Sequence, residues 1–450
     1  MRMESATRHA TRNLECLGFC VGWSFVSKIK LGMQLLLVSL ALSIHCGSTF
    51  RLPQTSSFTF LQTPGPFPVG LKVVDQYDRP RAFPASPNGR PMQTVVWYPS
   101  LKSAGERMTV ADYVKLADEE TNFHAPDAEK NRWRSLLKTS FDVRLWAVWD
   151  AKPARGHYPV LIYAPSDSSV SWENADLCEY LASYGYVVLA SPSMGASTRD
   201  MTDDLDGINA QARDISFLIS YASELPGADV SKVAVVSWSW GGMSSLFAAA
   251  RDSRIQALVE LDGSLRYYPG LVKRAGDVHP DRMTIPLLFF TRNVSLEDLE
   301  NDGVPHADRV GPNVLNAWSH GDLLKVDMLG MAHPEFSSMF QRRESEQRFA
   351  ENQIADYGRD DANTGYAWMA LYTLKFLDAY LKQDPSAKTF LDLTPAENGA
   401  PKHFMGVTFR AAEKSTAFNC TLGIKAQSAS APIQRPVVLP QRLVRMSFAL

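Results

Sequence analysis

The segment Val236–Gly242 reads VSWSWGG. An apolar run ends there, a serine follows at once, and a glycine pair opens an Ala-rich stretch. A sharp strand-to-helix turn of this kind lifts one hydroxyl above a sheet edge, where it can attack a carbonyl. Small residues two before and two after the nucleophile keep the turn free of backbone clashes. Ser237 and Gly241 hold those places around Ser239, so the pattern is S-x-S-x-G instead of G-x-S-x-G. Serine is small enough there but lacks glycine's freedom in strained backbone. A helix beginning after Ser239 aims its first amides, that of Trp240 foremost, at an anion, which suits an acyl-transfer intermediate. The bland alternative is a Ser/Gly loop between a strand and a helix.

A serine hydroxyl needs a base that works near neutral pH, and histidine is the usual choice. His333 lies in LGMAHPEFS, just past the strand-like run Leu323–Leu329. A loop leaving the last sheet strand reaches the same sheet edge as the serine turn, and it follows the serine in chain order. His320 (WSHGD) is the rival, but it precedes that run and belongs at the opposite end. An orienting carboxylate completes such a set. Asp262 ends the run IQALVELD, 23 residues beyond Ser239. Glu260 lies inside that strand and is less well placed. Glu297 and Asp298 follow the next strand, but Thr291, Arg292 and Asn293 occupy the turn where an acid should stand. Asp262 as a simple turn cap is the competing reading.

These residues need a scaffold, and the chain alternates accordingly. Gly70–Asp78 and Met92–Ser100 read as an opening antiparallel pair around a turn-rich segment. Met108–Trp149 has helical spacing and reads as a helical insertion. Apolar, β-rich runs follow at Tyr158–Ala164, Tyr186–Ala190, Val233–Val236, Ile255–Leu261, Ile285–Thr291 and Leu323–Leu329. Helical patterns separate the first four, at Asn174–Tyr184, Ile208–Leu225 and Met243–Arg251. A long helix is predicted over Tyr366–Gln383. Strands apolar on both faces, alternating with helices, imply a mostly parallel, doubly wound α/β sheet covered on both sides.

The segments VVWYPS (Val95–Ser100), YPVLIYAPS (Tyr158–Ser166), LASYGYVVLASP (Leu181–Pro192), ADVSKVAVVSWSWGG (Ala228–Gly242), RDSRIQALVELDGS (Arg251–Ser264), LGMAHPEFSS (Leu329–Ser338) and FLDAYLKQD (Phe376–Asp384) together resemble the α/β-hydrolase superfamily. Within it they are most similar to the dienelactone-hydrolase-like branch that includes the platelet-activating-factor acetylhydrolases. The resemblance spans roughly residues 68–410. It implies esterase or lipase-like chemistry with no metal and no cofactor. It implies Ser239 as nucleophile, Asp262 as acid at the family's usual place, and His333 as base. The backbone amides of Trp240 and of Ser166 or Asp167 would form the oxyanion hole. Two features depart from the pattern. The elbow's first glycine is Ser237, and the loop usually containing His-Gly reads Ala164-Pro165-Ser166-Asp167-Ser168. An Asp167 carboxylate facing a developing oxyanion would oppose it. That motivates a second reading, a catalytically weak binding protein on the same fold. Trp238 and Trp240 around Ser239 also resemble the elbow of prolyl-oligopeptidase-type peptidases, which makes a serine peptidase the third reading.

Composition is compatible with all three. Of 450 residues, 45% are hydrophobic and 21% charged, as in ordinary globular proteins. The formal charge of −2 offers no basic excess for a phosphate backbone, which argues against a nucleic-acid partner. Met33–Ile44 (MQLLLVSLALSI) is a 12-residue apolar run with Lys28 and Lys30 before it and small residues after it. That is a secretory signal pattern, too short for the roughly 20 residues of a membrane span. Residues 1–48 are therefore expected to be an export signal, 49–410 a hydrolase domain with its helical insertion at 108–150, and 411–450 a poorly ordered polar tail. A secreted or periplasmic protein acting on a small-molecule or lipid-like ester is expected, with no membrane span in the mature chain. Cys178 and Cys420 remain after the signal and could form one disulfide. Met108–Trp149, Ser264–Met283 and Val294–Asp322 are expected to form the pocket rim, with Tyr267, Tyr268 and Trp318 as its aromatic residues.

Overall fold

A computed structural model describes residues 57–119, 127–292, 305–343 and 357–413. The export-signal segment, Glu297, Asp298, Cys420 and the chain beyond 413 lie outside the described residues. Runs of β-branched and aromatic residues form β1 (Val69–Asp78), β2 (Arg90–Pro99), β3 (Arg107–Thr109), β4 (Arg144–Trp149), β5 (Tyr158–Ala164), β6 (Val187–Ala190), β7 (Ala228–Trp238), β8 (Ile255–Leu261), β9 (Leu287–Arg292), β10 (Leu323–Met328) and β11 (Met405–Arg410). They join one sheet in the order β11-β10-β9-β8-β7-β5-β6-β2-β1-β4-β3. The six strands from β6 to β10 run parallel, while β2 is antiparallel to β1 and β6, and β11 to β10.

Both faces of the parallel core are covered, which is why its strands are apolar throughout. On one side Leu161, Val188, Val236 and Val259 pack under helices Ala175–Ser183 and Arg359–Leu381. On the other, Val160, Ile162, Val235 and Leu258 pack under helices Leu205–Ala222 and Gly241–Arg251. Each such buried aliphatic side chain contributes about 1.5–3 kcal/mol. Among the described residues no helix is long and apolar enough to cross a membrane.

The stretch expected to be a helical insertion is only partly helical. Helices Val110–Glu119 and Asp127–Leu137 form, but Arg107–Thr109 and Arg144–Trp149 are strands. The sequence RLWAVW buries Leu145 and Ala147 and leaves Arg144 and Trp149 exposed, a period of two that the flanking helical patterns mask. β4 extends the sheet beyond β1. β11 was not expected either. It is an edge strand whose last three residues are exposed, so no apolar run announces it. Residues 411–413 continue from it and are tied down, with the Ala412 amide donating to Asp322 Oδ1 at 2.9 Å.

A buried glutamate fastens the insertion. Glu179 accepts from Tyr113 OH at 2.5 Å and from the backbone amides of Trp146 and Ala147. Tyr113 in turn accepts from Trp97 Nε1 at 2.8 Å. Burial pushes the Glu179 carboxyl up to about 7, against the pull of these donors. Glu173 is likewise pushed up to about 7 and Glu260 to about 8, burial being the main cause in each. An unfolded glutamate titrates near 4.3. The folded chain therefore holds more protons between that value and 7–8, and its stability falls as pH rises through this window. Urea melts are expected to show declining unfolding free energy from pH 5 to pH 8. Glu179→Gln should make the decline shallower below pH 7, by up to about 1.4 kcal/mol per pH unit. An unchanged slope would contradict the proton count.

Candidate active site

β7 ends at the buried Trp238, and Ser239 follows with φ +56°, a left-handed value that an L-residue adopts only when its surroundings impose it. The Ser239 amide donates to Leu261 O at 3.3 Å, and the Ser239 carbonyl accepts from Gly242 N–H at 3.0 Å and Ser264 N–H at 2.8 Å. Helix Gly241–Arg251 starts immediately. A side chain at Gly241 would overlap the carbonyl of Ala164 at the end of β5, so glycine lets the elbow close against that strand. Asp262 leaves β8 the same way, with φ +47°.

These turns deliver three of the expected residues to one place. Ser239 Oγ lies 2.8 Å from His333 Nε2, and His333 Nδ1 lies 2.6 Å from Asp262 Oδ2. With the proton on Nδ1, Nε2 faces the serine as an acceptor, the arrangement a general base requires. His333 begins the short turn His333–Phe336 after β10, and Trp238 lies against its ring with centroids 5.2 Å apart. His320 is exposed in the turn entering β10.

Asp262 is fully buried and well supplied with donors. Tyr267 OH donates to Oδ1 at 2.5 Å, the Arg292 amide donates to it at 3.3 Å, and Arg292 Nε is 3.4 Å from Oδ2. Burial pushes this carboxyl up. The hydrogen bond and charge of His333, the Arg292 charge and the Tyr267 hydroxyl outweigh burial and hold it below the usual carboxylate range. The site thus keeps a buried anion behind the imidazole.

Several expectations need correcting. Tyr267 is no rim aromatic: it is buried with its hydroxyl on the acid. A buried tyrosine needs a hydrogen-bond partner, and its place five residues past Asp262 was the available signal. Trp318 is also core, fully buried, with Nε1 donating to Ile285 O at 3.0 Å. Tyr268 alone of the three stays partly exposed, edge-on to Trp240 with centroids 5.2 Å apart. Cys178 is buried in helix Ala175–Ser183.

The loop after β5, expected to supply oxyanion donors, differs from expectation. The Ser166 amide donates to Glu173 Oε1 at 2.8 Å and its hydroxyl to Oε2 at 2.8 Å, so its N–H is turned away from an oxyanion. The amides of Asp167 and Trp240 have no protein acceptor among the described residues. The Asp167 residue is exposed, its carboxylate accepts from Ser168 Oγ at 3.1 Å, and desolvation followed by Asp203 and Asp200 raises its pKa. Among the described residues no group of His, Cys, Asp and Glu is arranged to hold a metal ion.

Neither a protein-family model nor a curated protein matches the chain. Solved structures do. A ferulic acid esterase from Streptomyces cinnamoneus aligns with 79% of this chain and 99% of its own, with a TM-score of 0.55 and 21% identity. The fold is that of an α/β-hydrolase. In that hydrolase fold Ser239, Asp262 and His333 occupy loops after β7, β8 and β10, all at the C-terminal edge of the parallel sheet.

Labelling of Ser239 by a fluorophosphonate reports this site without assuming a substrate. Asp262→Asn should slow labelling by about four orders of magnitude if Asp262 orients His333 as the aspartate of a Ser-His-Asp triad does. Asp298→Asn should leave it unchanged. Tyr267→Phe removes one hydrogen bond to a charged group and should slow labelling about tenfold. Equal rates for Asp262→Asn and the unmodified protein would remove Asp262 from the site.

Proposed function

We propose that the protein is a serine esterase that cleaves carboxylic esters through an acyl-enzyme. The observation that carries this reading is the hydrogen-bonded line Ser239 Oγ, His333 Nε2, His333 Nδ1, Asp262 Oδ2. Ser239 Oγ attacks the ester carbonyl while its proton passes to His333 Nε2. Asp262 holds the imidazole by its Nδ1 proton and stabilises the cation. The amides of Trp240 and Asp167 receive the oxyanion. The tetrahedral intermediate collapses, the ester C–O bond breaks, and His333 returns the proton to the leaving alcohol. Water, deprotonated by His333, then cleaves the acyl-enzyme and frees Ser239.

The likeness to a ferulic acid esterase supports ester chemistry on this fold and makes an aromatic acyl ester a sensible member of any substrate panel. The partly exposed Tyr268 lies edge-on to the buried Trp240, the residue that follows Ser239. The dienelactone-hydrolase-like and acetylhydrolase-like branch, with small or lipid-like ester substrates, is part of the proposal. So is export to the periplasm or the medium, which rests on the run Met33–Ile44.

A series of p-nitrophenyl esters of increasing chain length, with methyl ferulate and a peptide anilide alongside, tests the reading. Ester turnover that Ser239→Ala reduces to background, together with loss of fluorophosphonate labelling, is the expected result. Preferential cleavage of the anilide would favour a peptidase. A folded protein that neither labels nor turns over any ester would favour the binding-protein reading.

A further inference from the structure

The residue standing where the elbow's first glycine is usual has a partner. Ser237 Oγ donates to Glu260 Oε2 at 2.6 Å. Glu260 lies directly across from Ser237 in the β7/β8 register, is fully buried, and also bonds through Oε1 to Ser245 Oγ on helix Gly241–Arg251. Its carboxyl is wedged between two glycines. A side chain at Gly242, in the elbow, or at Gly263, in the turn after Asp262, would collide with Oε2. One carboxyl therefore touches both the turn that carries the nucleophile and the turn that carries the acid.

The hydrogen count is satisfied when Glu260 is protonated. Ser245 Oγ is 3.0 Å from the Gly242 carbonyl, to which its single proton can go. With the proton placed there, Ser245 accepts from Glu260 and the carboxyl brings a proton of its own. The chain of donors runs from Ser237 to Glu260 to Ser245 to the Gly242 carbonyl. The Gly242 amide donates in turn to the Ser239 carbonyl. We propose that Glu260 is a positioning residue that acts as a neutral carboxylic acid, locking the nucleophile turn to the acid turn.

The surroundings agree. Ser237 faces Glu260 from β7, Gly242 and Ser245 from the helix, and Gly263 from the following turn, and Phe289 is its neighbour on β9. Of these groups and its own strand, only Asp262 is ionisable, and that carboxyl is occupied by His333, Tyr267 and Arg292. Burial pushes Glu260 up to about 8 against the pull of the two serines. Once ionised it accepts from both. Ser245 must then release the Gly242 carbonyl, and the elbow loosens as pH rises.

This inference rests on the esterase reading, and its test separates the two. In the full-length protein, kcat and KM are measured from pH 6 to 10 for the unmodified chain, Glu260→Gln and Glu260→Ala, with the Ser239 labelling rate read in parallel. The unmodified chain should lose kcat above about pH 8. Glu260→Ala should lower kcat at pH 7 by roughly ten- to a hundredfold with KM within about twofold. Glu260→Gln keeps a donor and an acceptor, so it should recover at least about tenfold of that loss and lack the alkaline fall. An alkaline limb shared by Glu260→Gln and the unmodified chain overturns the proposal, as does an undiminished kcat in Glu260→Ala. If Glu260→Ala does not fold, as judged by its melt, Glu260→Gln decides alone. A chain that labels but cleaves no ester overturns the esterase reading, while the labelling rates still test Glu260.

Discussion

The amide of Ser264 donates to the carbonyl of Ser239 at 2.8 Å, and the amide of Ser239 donates to Leu261 O at 3.3 Å. This pair of bonds laces the turn leaving β7 to the turn leaving β8. Both turns hold a non-glycine residue at positive φ, at a cost of order 1–3 kcal/mol each. Neither would persist alone. Held together, they put a hydroxyl and a carboxylate at one sheet edge, with a single imidazole between them. Small movements in either turn would break a line whose links measure 2.8 and 2.6 Å. The parallel register of β7, β8 and β9 fixes the spacing that the turns refine.

Around that line the fold relies on glutamates where the chain leaves its regular elements. Glu173 is the clearest case. Its side chain takes the Ser166 amide, the Ser166 hydroxyl and Tyr163 OH, and its own carbonyl takes Ser337 Oγ and the Met339 amide. The loop after β5 and the chain just beyond His333 thus share one residue. Glu179 does the same for β4, whose amides at Trp146 and Ala147 meet its carboxylate. A buried amide without an acceptor is costly, so each glutamate removes an unpaired donor. Holding such carboxyls near neutrality avoids most of the cost of burying charge, at the expense of stability in alkali.

The parallel core, and the meeting of Ser239, Asp262 and His333 at its C-terminal edge, were legible in the sequence because each leaves a local mark. An apolar run ends in a small-residue turn at Ser239, another ends in Asp262, and His333 follows a third. What escaped depends on long-range pairing. β4 hides between helical patterns because its alternation covers only six residues. β11 is a half-exposed edge strand that β10 templates. Tyr267 and Trp318 look in sequence like exposed loop aromatics, and the fold sends one to Asp262 and the other to Ile285. Nothing local decides between the Ser166 and Asp167 amides as oxyanion donors, because Glu173, seven residues on, gives no sign that it folds back to claim the first.

The two departures from the usual hydrolase pattern share a physical account. At the elbow, Ser237 replaces a glycine and bonds to the buried Glu260. In the loop after β5, Ser166 stands in the stretch where His-Gly is usual and bonds to the buried Glu173. In each case a residue that could have weakened a turn is coupled to a carboxyl beneath it. Glycine confers freedom, and freedom must then be removed by packing. A serine with a fixed acceptor restrains the same backbone by a directional bond. The altered motifs are therefore matched pairs, each serine with its glutamate, and losing either partner strands a buried polar group. Only Asp167 stays outside this scheme, with its carboxylate toward Ser168 and its amide left free to donate.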